Sequence, residues 1–169
     1  MIEEYITSLS IPASFVLPGF FMTNLPNGIR LDPSGSHYAF AQLFHPDTKI
    51  PMLDVPCDFG KFVAACLADP SGTSGKRVLA TSAWNSPLDV CQAVEKVTGK
   101  KCQYREMKAG EWKMGIELYE NMVMINDWAY YGPDAKEGVK RSQEIVESVG
   151  EFGKFGTFEG FLKGIGFGK

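Results

Sequence analysis

The side chains able to do chemistry are few, and their spacing joins them into no complete catalytic set. The histidines, His37 and His45, flank a run of alternating character, and neither stands at a spacing that marks a nucleophile and its base. His45 precedes Pro46 and Asp47, which makes it a turn residue first. The cysteines, Cys57, Cys66, Cys91 and Cys102, form no C-x-x-C pair and have no histidine at zinc-ligand spacing. They read as reduced packing residues, with Cys66 and Cys91 on the apolar faces of expected helices. Glu3 and Glu4 head a helix, where the dipole favours acids, and Glu111, Glu117 and Glu120 fall on a solvated face. Tyr104 and Lys108 have the Y-x-x-x-K spacing, but between a strand and a loop rather than on a helix. No G-x-x-x-x-G-K-[ST] or G-x-G-x-x-G loop occurs, so the sequence holds no phosphate cradle.

One stretch remains, PASFVLPGFFMTNL at residues 12–25. A buried strand over 13–17 runs into Pro18-Gly19, then into an aromatic pair and an amide. Ground just beyond a strand's carboxyl end is where α/β proteins place ligands. Gly19 lets the chain turn sharply off the strand, and the amides that follow can meet a polar or anionic group. Phe20 and Phe21 offer a flat surface for a ring, and Asn24 a donor and an acceptor. The competing reading is a plain strand-turn-helix whose phenylalanines enter the core.

The elements that would position this stretch follow from periodicity. Ile2, Tyr5, Ile6 and Leu9 have helical spacing, and no capping residue precedes them. A loop covers 25–36, strands are expected over 37–44 and 50–55, and a helix carries Phe59, Phe62, Val63, Cys66 and Leu67 on one face. Asp58 is expected to cap that helix and Asp69-Pro70 to stop it. After a strand over 77–81, Ser86-Pro87-Leu88-Asp89 has the form of a capping box, and its helix stops at Gly99. A strand over 101–107, helices over 112–128 and 134–149, and a short helix opened by Thr157 complete the pattern. The glycine-rich residues 150–169 are expected to be partly flexible. About five short strands alternating with helices make an α/β chain, which is few for a doubly wound sheet.

Bulk composition agrees with a single folded domain. The 169 residues are 44% hydrophobic and 22% charged, near the globular average. The net charge of −3 and scattered basic residues argue against direct nucleic-acid binding. The acidic start lacks a basic n-region, and no run approaches the ~18 apolar residues that span a membrane, so neither secretion nor insertion is expected.

The segments EEYITSLSIPASFVLPGFFMTNL, DVPCDFGKFVAACLADP and GKRVLATSAWNSPLDVCQAVEKVTGKKCQYREM occur in an order that resembles the second half of the NmrA-like proteins. These are atypical short-chain dehydrogenase/reductase relatives, similar to isoflavone-reductase-type enzymes and common in fungi. TFEGFLKG resembles the family's closing helix. The resemblance implies an incomplete NAD(P)-binding Rossmann-like domain lacking its amino-terminal half, joined to a smaller substrate-side α/β subdomain. It implies NADP as cofactor, with Phe21, Met22, Thr23 and Asn24 lining the nicotinamide end of the cleft.

The family's glycine-rich loop lies in the half that has no counterpart here, so the resemblance implies weak NADP binding by this chain alone. It also leaves the strand over 13–17 as a sheet edge, and the expectation is a truncated chain or one completed by self-association or a partner. Two functions follow from the family. One is an NADP-dependent oxidoreductase, or a remnant of one, acting on a small molecule in fungal secondary metabolism. The other is a non-catalytic redox-sensing regulator that binds a transcription factor or another protein. Either is expected in the cytoplasm, with a nuclear location for a regulator.

Overall fold

The computed structural model describes residues 2–113, 115–150 and 152–169. After helix α1 (Ile2–Ser8), strand β1 (Phe15–Pro18) leads into β2 (Phe20–Phe21), with two 3-10 turns over Met22–Asn24 and Pro26–Gly28. Then come β3 (Ile29–Leu31), β4 (His37–Gln42), β5 (Ile50–Leu53), α2 (Gly60–Ala68), the single turn α3 (Pro70–Thr73), β6 (Arg77–Ala80) and β7 (Ala83–Asn85). The chain ends through α4 (Pro87–Thr98), β8 (Lys101–Glu106), α5 (Ile116–Trp128), α6 (Ala135–Val149) and α7 (Phe158–Gly164).

Among the described residues the strands form three small sheets. β1 pairs with β6 in parallel; β5 lies between β2 (parallel) and β7 (antiparallel); β4 lies between β3 (antiparallel) and β8 (parallel). Three strands were not legible in the sequence, namely β2, β3 and β7. Each has two or three residues, too short to display a period of two. The helix expected over 112–128 begins at Ile116, and Trp112 instead packs against the core from an extended segment. Leu67, assigned to the buried face of α2, is 76% exposed, and Ala65 takes the inward position.

The α4 capping is as the sequence requires. The Ser86 hydroxyl accepts from the Asp89 N–H, the Asp89 carboxylate accepts from the Ser86 N–H, and Gly99 closes the helix at φ +71°. Two cores result. The larger gathers Met22, Phe40, Phe44, Met52, Val90, Ile125 and Phe158 between α4, α5, α7 and the strands. The smaller joins β6 to α2 and α6 through Val78, Ala80, Phe62, Ala65 and Val146.

The two edges of the β1–β6 pair are treated differently. The outer edge of β6 is covered by α6: Leu79 N–H donates to the Ser142 hydroxyl (2.8 Å) and the Gln143 amide donates to Thr81 C=O (2.9 Å). Gly138 packs against the Leu79 side chain: a Cβ there would lie 2.8 Å from Leu79 Cδ1, which would have to shift to admit it. β1 bonds to β6 through alternate residues, with Phe15 N–H on Lys76 C=O and Gly19 N–H on Ala80 C=O. Val16 therefore turns its N–H and C=O away from β6, and among the described residues no strand pairs with them. In the segment ahead of β1, Ile2, Tyr5, Leu9 and Ile11 are 79%, 65%, 49% and 55% exposed. The apolar stripe read from the sequence is real, and no described residue covers it.

Replacing Ser142, which is 2% exposed, by alanine strips the partner from a part-buried strand N–H. Urea denaturation of Ser142→Ala is expected to show a loss of about 0.5–1.5 kcal/mol, the net worth of one hydrogen bond whose donor can be rehydrated.

Candidate functional site

The site starts at the break between β1 and β2. Gly19 carries the chain from the sheet of β6 to that of β5 within one residue. A Cβ at this point would stand 2.5 Å from the Pro51 carbonyl oxygen and 3.3 Å from that of Ala80, so the crossing requires glycine. Phe20 then enters the core, edge-on to Phe44 at 5.9 Å between ring centres, while Phe21 lies opposite Leu53 of β5 and is 38% exposed.

The 3-10 turn that follows is held from beneath. Met22 is fully buried and Leu25 is 1% exposed, and Leu25 N–H donates to Met22 C=O (3.2 Å). Thr23 and Asn24 face solvent, and among the described residues their side chains make no hydrogen bond. The structure thus leaves Phe21, Thr23 and Asn24 exposed along one short stretch and sends the Met22 side chain into the core. What this stretch offers is an exposed aromatic ring, a free hydroxyl and a free carboxamide within four residues, group types that suit a flat ring carrying an amide.

Next to this stretch, β5 ends in a buried acidic pair. Asp54 N–H donates to the Ser82 hydroxyl (2.9 Å), and Asp54 is 5% exposed. A wide π turn over Val55–Phe59 follows, and it places Asp58 inward at 1% exposure. Asp58 accepts from Gly156 N–H (2.7 Å) and pairs with Lys61 Nζ (2.7 Å). Lys61 Nζ also donates to Lys154 C=O (2.9 Å) and sits 5.4 Å from the centre of the Phe155 ring. Asp58 is therefore no helix cap, and that expectation is corrected. Pro56 has no N–H to give to a regular first turn, and the carboxylate is drawn inward by an ammonium and a backbone donor instead of folding back on its own helix. The negative charge of Asp54, with burial second, pushes the exposed Cys57 thiol up, away from reactivity.

The remaining chemical candidates are committed elsewhere. Tyr104 donates its hydroxyl to Phe44 C=O (2.5 Å), with Gln42 C=O at 3.1 Å, and burial raises its pKa. Tyr131 donates to Leu17 C=O (3.0 Å), and burial raises it too. His45 pairs with Glu106 (2.9 Å) at the surface, and His37 meets Ser36 (2.9 Å). Cys66, Cys91 and Cys102 are buried free thiols. Among the described residues no group of three or more His, Cys, Asp or Glu could hold a metal ion. No described helix is long and apolar enough to cross a membrane.

Sequence reasoning missed the Asp54, Asp58, Lys61 and Gly156 cluster and the Tyr131 contact. The D-x-P-x-D run after a buried strand was a signal for the first part, since proline there forbids an ordinary helical start. Gly156 and Tyr131 lie 98 and 114 residues from their partners, and nothing local announces them.

These parallel pairs and their shared carboxyl-end surface define a Rossmann-like α/β fold, incomplete in this chain. Solved structures of similar fold include NmrA, a negative transcriptional regulator, with a TM-score of 0.77 and 19% identity, covering 96% of this chain and 55% of that one. Another is NmrA in complex with NADP, with a TM-score of 0.75 and 20% identity over the same shares. A model of the NmrA-like family matches residues 1–162, and the chain belongs to that family. The nitrogen metabolite repression protein nmr of Neurospora crassa is 30% identical over 111 residues, which is 61% of this chain and 22% of that protein. The nitrogen metabolite repression protein nmrA of Emericella nidulans is 29% identical over 124 residues, 69% of this chain and 35% of that protein. The matched region spans about a fifth to a third of the length of these curated relatives.

Gly19→Ala forces a methyl group against a main-chain oxygen that cannot rotate away. It is expected to cost about 1–3 kcal/mol in denaturant unfolding, as overpacking does.

Proposed function

We propose that the chain is the dinucleotide-facing carboxy-terminal part of a redox-responsive NmrA-like regulator. In this reading Phe21, Met22, Thr23 and Asn24 form the nicotinamide-side wall for NADP. The residues fit that group in part. An exposed ring with a partnerless hydroxyl and carboxamide suits a nicotinamide and its amide, with Met22 contributing main chain, while the described residues supply no glycine-rich phosphate loop. The dinucleotide, when bound, would present the oxidation state of its nicotinamide ring, which differs between NADP and NADPH. The protein's own part is to orient that ring through Phe21 and to hold its carboxamide through Thr23 and Asn24.

The observation that favours a regulator over an oxidoreductase is the state of the tyrosines. The Tyr104 and Tyr131 hydroxyls are both spent on backbone carbonyls, and burial holds their protons on. An NADP-dependent reductase of fungal secondary metabolism, acting on a small molecule, needs a proton donor at the substrate carbonyl. The curated relatives named as repression proteins support the same choice. A regulator of this kind would bind a transcription factor or another protein in the cytoplasm or the nucleus. The open edge of β1 also offers a second copy of the chain a strand to pair with.

Calorimetric titration with NADP and NADPH, alongside an NADPH oxidation assay on aldehydes and quinones, tests this reading. Weak binding without turnover is expected, with Asn24→Ala weakening it by roughly tenfold or less, the loss of one or two hydrogen bonds. Turnover, or binding indifferent to both Asn24→Ala and Phe21→Ala, would overturn it.

A further inference from the structure

Helix α5 has two apolar faces, and the core uses one. Met122 and Ile125 are buried, with Leu118 and Tyr119 packed beside them. On the opposite side Ile116, Met124 and Trp128 are 66%, 47% and 73% exposed. At about 100° per residue these three fall within an arc of about 120°. The same arc carries Glu117, Glu120 and Asp127, all exposed, and the helix contains no lysine or arginine. A lone exposed apolar residue needs no explanation, but a tryptophan this open, one turn from an open methionine, is a different matter. Tryptophan is among the side chains that dominate protein interfaces. The helix ends just after it at Ala129, whose φ of +61° is a conformation that side-chain-bearing residues rarely adopt.

We infer that this face docks a protein segment that is apolar along one side and rimmed by lysine and arginine. Met124 and Trp128 would seat the apolar side, and Glu117, Glu120 and Asp127 would meet the cations. The carboxylates decide between occupants. An anionic membrane or a nucleic acid would be repelled by three acids with no base among them. A second copy of the chain, meeting this helix across a two-fold axis, would oppose the same acids to themselves. The inference rests on the regulator reading only in that both call for a protein partner; it needs no dinucleotide.

The test uses the full chain and two helical peptides of about 18 residues, roughly five turns. One carries leucine on one face and lysine on the other, and its counterpart carries glutamate in place of lysine. The Leu/Lys peptide is expected to bind, more weakly as salt rises, and the Leu/Glu peptide is not. Trp128→Ala is expected to weaken binding by about tenfold or more, and Met124→Ala by less. Glu144→Ala, an exposed acid on α6, should leave it unchanged. Both apolar positions are exposed, and thermal melts of the variants verify that the fold is intact. Failure of the Leu/Lys peptide to bind, equal binding of the Leu/Glu peptide, or indifference to Trp128→Ala overturns the proposal. A chain that binds the peptide but no NADP retains this surface and loses the redox reading; the converse result does the opposite.

Discussion

The arrangement depends on one close approach, that of the backbone at Gly19 to the Pro51 carbonyl. The chain leaves a strand paired with β6 and joins a strand paired with β5 with a single residue between them. Only a residue without a side chain fits, because the distance left for a Cβ is 2.5 Å. This crossing puts the carboxyl ends of two parallel pairs side by side. Phe20 and Met22 are drawn into the larger core, and Phe21, Thr23 and Asn24 are left outside on a turn that has little freedom. The exposure of this ring, hydroxyl and amide follows from a packing constraint before any ligand is considered.

The rest of the molecule is organised around the same two strands, asymmetrically. On the β6 side, Ser142 and Gln143 of α6 satisfy the outward backbone groups, and the buried Asp58, with Lys61, ties the segment 154–156 to the start of α2. On the β1 side, the outward N–H and C=O of Val16 meet no strand among the described residues, and the apolar residues of α1 and the loop after it lie open. The solved NmrA structures are nearly twice the length that this chain covers. An unpaired strand edge, even one of four residues, is a surface that proteins ordinarily cover.

Legibility in the sequence followed the range of the interaction. The α4 cap, the Gly99 stop and the β4 and β8 strands could be read because their determinants lie within a few residues or repeat with a clear period. The site stretch was visible for the same reason, as a strand, a Pro-Gly break and an aromatic run. What could not be read was decided by contacts across the chain. Asp58 has the right identity for a cap and the wrong partners, since Lys61 and Gly156 claim its oxygens first. Leu67 fits the apolar period of α2, yet the second core ends at Ala65 and Cys66. Met22 sits between the exposed Phe21 and Thr23, and the 3-10 turn that holds its side chain inward was announced by no sequence pattern.

The central claim is that the surface of Phe21, Thr23 and Asn24 receives a nicotinamide ring. Backbone-resolved NMR of the chain during titration with millimolar NADP examines it residue by residue, at concentrations where weak binding is visible. The account predicts shift changes centred on Phe21, Met22, Thr23 and Asn24, reaching Asp54 and Ser82 across the junction. Changes centred instead on the groove of Tyr130, Tyr131 and Arg141 beside β6, with residues 21–24 unmoved, would contradict it.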